Sequence, residues 1–72
     1  MKNNQIKLLD VVALTTDLAV PDLARGQVGT VVENLAPGVY EIEFSDNGGR
    51  TFASLALKSD QLLVLHYEPA YA

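Results

Sequence analysis

The sequence predicts an all-β domain built from short strands. Clusters of proline, glycine, asparagine and aspartate divide the chain into pieces of strand length. The segment "VYEIEF" strictly alternates apolar or aromatic side chains with acidic ones, which is the pattern of a half-buried strand. No stretch keeps the apolar period of a helix over about ten positions. These three observations together favour strands over helices.

The first strand is predicted at residues 10–15, "DVVALT", because β-branched side chains favour strands. The segment "TDLAVPDLARG" follows without any periodicity, and we predict a long loop there. Three of its side chains, Leu18, Val20 and Leu23, are apolar. We therefore expect the loop to fold back over one end of the sheet.

The second strand begins within "RGQVGTVVE", residues 25–33, where two glycines stand three residues apart. Gly26 is expected in a tight turn at a positive φ. Gly29 lies inside the strand, which runs to Asn34, and an interior glycine marks a bulge or a close approach of another backbone. We expect the strand to bend at Gly29, so that it belongs to both halves of a curled sheet.

Short turns separate the remaining strands. Pro37 and Gly38 match the centre of a type II turn, and Asn47 followed by Gly48 is a strong hairpin signal. A single 3₁₀ turn is predicted at "KSDQ", residues 58–61, just before the last strand. The strands predicted in this half of the chain are residues 39–44, 50–57 and 62–67.

Five strands, a long loop after the first and a 3₁₀ turn before the last predict a small SH3-like barrel, whose closure would remove exposed strand edges. An OB-type barrel is less favoured, because "SDNGG" leaves no room for a helix between the third and fourth strands. We expect residues 1–66 to form the barrel and residues 67–72 a flexible tail. The predicted core contains Val11, Ala13, Val28, Val31, Tyr40, Ile42, Phe44, Leu55, Leu57, Leu62 and Val64.

Two resemblances to known families accompany this pattern. The run "RGQVGTVVE" resembles the KOW motif of ribosomal and transcription-factor SH3-like barrels. A wider resemblance covers residues 6–66, where "KLLDVVALTTDL", "LARGQVGTVVE", "YEIEF" and "GRTFASLALKSDQLLVL" follow in order. These blocks are similar to a small bacterial family known as domain of unknown function 4926. That resemblance implies a stand-alone domain without an assigned activity, and toxin-like or nuclease-like neighbours of some members imply an antitoxin or immunity role.

The charge balance restricts the class of partner. The 72 residues include nine Asp and Glu against five Lys and Arg, a formal charge of −4. Such a surface repels phosphate backbones and attracts basic proteins. The chain has no cysteine, and its first residues lack the apolar stretch of a signal peptide. Because no apolar run is long enough to span a membrane, we expect a cytoplasmic protein.

The residues that carry chemistry are sparse. His66 is the only histidine, and no serine stands in a glycine-flanked nucleophile elbow. The segment "SDNGG" lacks the ligand spacing of a calcium loop, and turn formation explains its Asp46 and Asn47. We therefore predict no catalytic residue, no metal site, no cofactor and no enzymatic activity.

Binding of a protein partner is the predicted function, and the charge favours a basic partner such as a nuclease or RNase toxin. Two surfaces qualify: the apolar loop with its flanking aspartates, and the acidic outer face of the second and third strands. The alternative interpretation is structural: the loop only covers the core, and the acidic face of the strands only contacts water. The candidate partner-binding residues are Asp17, Leu18, Val20 and Asp22 in the loop, and Glu33, Glu41 and Glu43 on the strands.

An RNA- or ribosome-associated module is the alternative function. Its supporting features are the KOW-like run, three scattered basic residues and an aromatic side chain for stacking. Net acidity makes a nucleic-acid partner less favoured. Self-association through an open strand edge also remains an alternative. The candidate RNA-binding residues in this hypothesis are Arg25, Arg50, Lys58, Tyr40 and Phe52.

Overall fold

The computed structural model describes residues 6–67 and 69, and within them the fold is all-β. The predicted long loop after the first strand and the 3₁₀ turn before the last are both confirmed. Most of the predicted tail, namely residues 68 and 70–72, lies outside the described residues. The elements are β1 (Val11–Leu14), β2 (Val28–Ala36), β3 (Val39–Ser45), β4 (Thr51–Lys58), the 3₁₀ turn η1 (Ser59–Gln61) and β5 (Leu62–Val64).

The five strands form one antiparallel sheet in the order β4-β3-β2-β1-β5. This arrangement is compatible with an SH3-like barrel. The expected closure is absent from the described residues, because β4 pairs with β3 alone and β5 with β1 alone. The 3₁₀ turn carries the chain from one edge of the sheet to the other, so β4 and β5 remain the two edges.

The core lies on the concave face of this sheet. Val12, Val31, Ile42 and Phe44 are fully buried at its centre. Of the predicted core residues, Val31, Tyr40, Ile42, Phe44, Leu57 and Leu62 belong to the core cluster, and Leu55 and Val64 pack against it. The prediction missed Ile6, Val12, Leu14 and Leu23, which also belong to the cluster.

The predicted face of β1 is wrong. Val12 and Leu14 point into the core, whereas Val11 and Ala13 lie opposite Thr30 and Val28 on the outer side of the sheet. "VVAL" is apolar at every position, so alternation gives no indication of which face is buried. Ala13 is still buried, because it stands between its two cross-strand neighbours on the convex side.

The prediction that Val28 lies in the core is also wrong, since this residue is 47% exposed. Gly29 occupies the inward position next to it. A Cβ there would come within 2.7 Å of Ile42 Cγ2 and 2.9 Å of the Phe44 ring. Glycine at this site therefore makes room for two large core side chains, which is a packing role.

No bulge occurs at Gly29, because the β2–β3 pairing is regular through Gly29, Thr30 and Val31. The register shifts occur further along, between Val31 and Glu33 and between Asn34 and Ala36. β2 is nine residues long and pairs with two neighbours, so these later bulges change its direction after it has left β1.

The β3–β4 hairpin turn differs from the Asn47–Gly48 prediction in one residue. Gly49, at φ 84°, takes the left-handed conformation. The Gly49 N–H donates to the Asp46 carbonyl at 3.0 Å, and Asp46 Oδ1 accepts from Gly48 N–H at 2.9 Å and Arg50 N–H at 3.0 Å. This is the longer hairpin loop that ends in a left-handed residue. The positive φ expected at Gly26 is confirmed, at 92°.

Candidate functional site

Three carboxylates share the outer face of β2 and β3, which we call the acidic face. Glu33 lies directly opposite Glu41 in the antiparallel ladder, and Glu43 follows on the same side of β3. Directly opposed residues have Cβ atoms about 5 Å apart, and alternate residues of one strand lie about 7 Å apart. The sheet therefore brings all three of these predicted site residues together.

One hydrogen bond organises this face. The Ser54 hydroxyl of β4 donates to Glu41 Oε2 at 2.6 Å. Within the described part of the chain, no hydrogen bond from a lysine or arginine side chain reaches Glu33, Glu41 or Glu43. The Ser54 hydroxyl thus orients one of the three carboxylates.

The loop candidates form a compact turn of their own. Leu18 and Leu23 exchange backbone hydrogen bonds of 2.8 and 3.0 Å, and both side chains pack on the core. The expectation that the loop folds back is confirmed for these two residues. Val20 does not fold back onto the core. It lies at the tip of the loop with 87% of its surface exposed.

The two aspartates of the loop have different surroundings. Asp17 Oδ1 accepts the Arg25 backbone N–H at 2.7 Å, so this carboxylate closes the loop. Asp22 is exposed, and no hydrogen bond of its side chain is found among the described residues. Asp17 therefore has a structural role that does not depend on a partner.

The loop and the acidic face are separate surfaces. The loop returns to the sheet at the start of β2, next to Val28, whereas Glu33 lies five residues further along that strand. At the usual rise per residue this separation is roughly 15 Å. A small partner would contact one surface or the other.

Sequence reasoning missed an apolar patch on the convex side. Val28, Ala13 and Leu63 stand side by side on β2, β1 and β5, and Leu63 is 58% exposed. The alternating pattern that identified β3 is missing from these three strands, so no signal in the sequence separated the outer side chains from the core ones.

His66 lies beside an open groove of about 450 Å³. Asp10 and Tyr67 are the other titratable side chains in its lining, and no serine, cysteine or lysine is present there. Without a serine or cysteine, the groove lacks the nucleophile of a hydrolytic triad. Its lining residues are Leu9, Asp10, Val11, Leu65, His66, Tyr67 and Pro69.

Among residues 6–67 and 69, no group of three or more histidine or acidic side chains is arranged to hold a metal ion. No helix in that part of the chain has the length and apolar character needed to cross a membrane.

The fold and surfaces define a small all-β domain with an acidic strand face and two open sheet edges. A family model covers residues 8–64, most of the chain. The chain belongs to that family, described as Domain of unknown function (DUF4926). Neither the curated proteins nor the solved structures gave a match to this chain.

Proposed function

We propose that this protein is a non-catalytic protein-binding module whose acidic face receives a basic partner. One observation carries the proposal: Glu33 lies opposite Glu41, with Glu43 on the same face, and Ser54 donates a hydrogen bond to Glu41. Like charges placed directly opposite each other destabilise a sheet. A cationic surface would convert that unfavourable pair into a favourable contact.

The partner class follows from charge. Proteins that bind nucleic acid carry clustered lysine and arginine, and a compact group of carboxylates complements such a surface. An inhibitor or antitoxin of a nuclease would act in this way, by covering the cationic groups that contact phosphate. The toxin-like neighbours implied by the family resemblance support this choice.

A cytoplasmic, non-enzymatic role agrees with the composition of the exposed side chains. The groove beside His66 is lined mainly by apolar groups and contains no serine, cysteine or lysine. The carboxylates lie on the outer face of the sheet, where Glu33 is exposed and Glu41 and Glu43 are partly exposed, and that face is not a cleft of the kind that holds a substrate.

The test is capture from the native host, with the product of the neighbouring gene co-expressed. The tagged wild-type chain is compared with a variant carrying Glu33→Gln, Glu41→Gln and Glu43→Gln. A control, Asp22→Asn, removes an exposed charge of the loop and leaves the Asp17 hydrogen bond that closes the loop intact. We expect the first variant to lose the partner and the control to retain it.

Two results would contradict the proposal. If the control variant loses the partner and the acidic-face variant keeps it, the loop is the binding surface. If no protein binds the wild-type chain above background, the binding function itself fails.

RNA binding is the second candidate, and one observation favours it. Phe52 is 51% exposed on β4, with Lys58 at the end of the same strand and Arg50 just before it. Tyr40, the other stacking candidate, is only 8% exposed in the core. Glu43 on the adjoining strand opposes a phosphate backbone. The discriminating experiment is binding to mixed RNA at about 20–50 mM salt, where no detectable binding would remove this candidate.

A further inference from the structure

The outer edge of β4 is the longest unpaired strand edge of the described sheet. β4 has eight residues, Thr51–Lys58, and β3 is its only neighbour. Between Thr51 and Leu57 it contains neither a charged residue nor a proline. Proteins normally protect long edges with those residues, because an unprotected edge pairs with another strand.

The direction of the free backbone groups follows from the alternation of an antiparallel ladder. The Val31 N–H donates to the Asp10 carbonyl at 3.0 Å, so Val31 of β2 bonds towards β1. Its neighbour Thr30 must then bond towards β3, where it lies opposite Glu43.

The same alternation continues across β3. Because Glu43 bonds towards β2, Ile42 bonds towards β4, where it lies opposite Leu55. On β4, the N–H and C=O groups of Ser54 and Ala56 consequently point away from the sheet. Both residues are exposed. Each offers one donor and one acceptor to a further strand.

Two observations limit the length of this free segment. At one end the pairing with β3 is interrupted at Phe52, between the pairs Ser45–Thr51 and Phe44–Ala53. At the other end the Lys58 N–H donates to Gln61 Oε1 at 2.9 Å. Ser54 and Ala56 are therefore the free groups, and they lie symmetrically about Leu55.

We propose that a second copy of this chain pairs with β4, antiparallel, about a two-fold axis at Leu55. Ser54 of each copy then lies opposite Ala56 of the other, and the free backbone groups bond to each other. The two Leu55 side chains meet at the axis. Leu55 already packs on the core while remaining partly exposed, so the contact extends the core of both copies.

The charge distribution favours a second copy of this chain as the partner of β4, and it favours the register centred on Leu55. β4 carries no acidic side chain, although the formal charge of the chain is −4, so the two edge strands meet without a pair of opposed carboxylates. About Leu55, Lys58 of one copy faces Phe52 of the other, a favourable cation–aromatic pair. Beyond the strands, Arg50 of one copy approaches Asp60 of the other. A register shifted to Ser54 would instead place Arg50 opposite Lys58, both positive.

The first experiment is sedimentation equilibrium of the full chain from about 10 μM to 1 mM. An interface this small lies in the weak, transient class, and we expect a dissociation constant on the order of 100 μM. The Ala56→Pro variant should weaken the dimer more than about 30-fold, because proline removes an outward donor that β3 does not use. A chain that remains monomeric at 1 mM would overturn the proposal.

A second pair of variants tests the register without depending on proline. Arg50→Glu should weaken the dimer about tenfold, since it places two acidic groups together at each end. Combining Arg50→Glu with Asp60→Arg should restore the wild-type constant, because each pair is then reversed within the same dimer. A double variant no tighter than the single one would contradict this register.

Amide exchange identifies the strand directly. At high concentration the Ser54 and Ala56 amides should exchange more slowly than in the dilute protein, whereas the Leu55 amide, which already bonds to β3, should change little. Slowing at Leu62 and Val64 of β5, with none at Ser54 and Ala56, would show that dimers form through the other edge and would overturn the proposal.

Discussion

The acidic face and the β4 edge lie next to each other but offer different chemistry. The acidic face presents three side-chain carboxylates on β2 and β3, whereas the β4 edge presents backbone groups on a strand without acidic residues. The Ser54–Glu41 hydrogen bond joins the two regions. We propose that the two regions take different partners, because side-chain charge favours a basic protein and a free backbone edge favours a copy of the same strand.

The largest expected effect comes from removing the support that both regions share. Phe44 is fully buried, and it pairs with Gly29 on β2 and with Ala53 on β4. Phe44→Ala should lower the free energy of unfolding by about 3–5 kcal/mol. This is about the whole net stability of a domain this small, so both surfaces should be lost.

The matched control is the other phenylalanine. Phe52 is 51% exposed, and we expect Phe52→Ala to change the free energy of unfolding by less than about 1 kcal/mol. Urea denaturation measures both variants. Equal losses from the two substitutions would show that the core is not centred on Phe44.

The next effect concerns the glycine that supports β3. Gly29→Ala places a methyl group within 2.9 Å of the Phe44 ring and 2.7 Å of Ile42 Cγ2. Overpacking of this kind costs about 1–3 kcal/mol. At Gly26 nothing lies within 4 Å, so Gly26→Ala should cost about 1 kcal/mol, through its positive φ alone. A smaller loss at Gly29 than at Gly26 in urea denaturation would contradict this packing.

A smaller effect separates the two regions. Ser54→Ala removes the hydrogen bond to Glu41 but keeps the backbone groups of the β4 edge. We expect a loss of about 1 kcal/mol in the free energy of unfolding. The dimer dissociation constant should stay within about twofold. A large change in that constant in sedimentation equilibrium would mean that the edge depends on the Ser54 side chain.

The smallest effect has the opposite sign. Glu33→Gln removes one member of the opposed carboxylate pair and should stabilise the fold by about 0.5 kcal/mol at low salt. Because exposed charges are screened, the gain should disappear near 1 M salt. Thermal unfolding at the two salt concentrations measures it. Destabilisation at low salt would show that Glu33 has a favourable neighbour within the fold.

Sequence reasoning worked where polar and apolar residues alternate. β3 alternates strictly, so its start and its inward residues Tyr40, Ile42 and Phe44 were predicted correctly, and its end differs from the prediction by one residue. The outward direction of Glu41 and Glu43 follows from the same alternation. Turn residues located the connections for a similar reason, since few residues accept the required backbone angles.

It failed where every position is apolar. In β1 the predicted face was wrong, because "VVAL" allows either side to be buried. At the start of β2 the prediction placed the side chain of Val28 in the core. The inward position is the next residue, Gly29, where the size of Phe44 and Ile42 requires glycine. That constraint is non-local, since the two large side chains belong to β3. The openness of the β4 edge depends on which strands β5 joins, which the sequence pattern does not determine.

The acidic-face proposal is tested most directly by NMR of the side chains in the chain bound to its captured partner, because the backbone amides of β2 and β3 already bond within the sheet. We expect the side-chain chemical shifts to change most at Glu33, Glu41 and Glu43, and these changes to shrink as salt is raised. Changes centred on Leu18 and Val20 in the loop, or on the groove beside His66, would contradict the proposal.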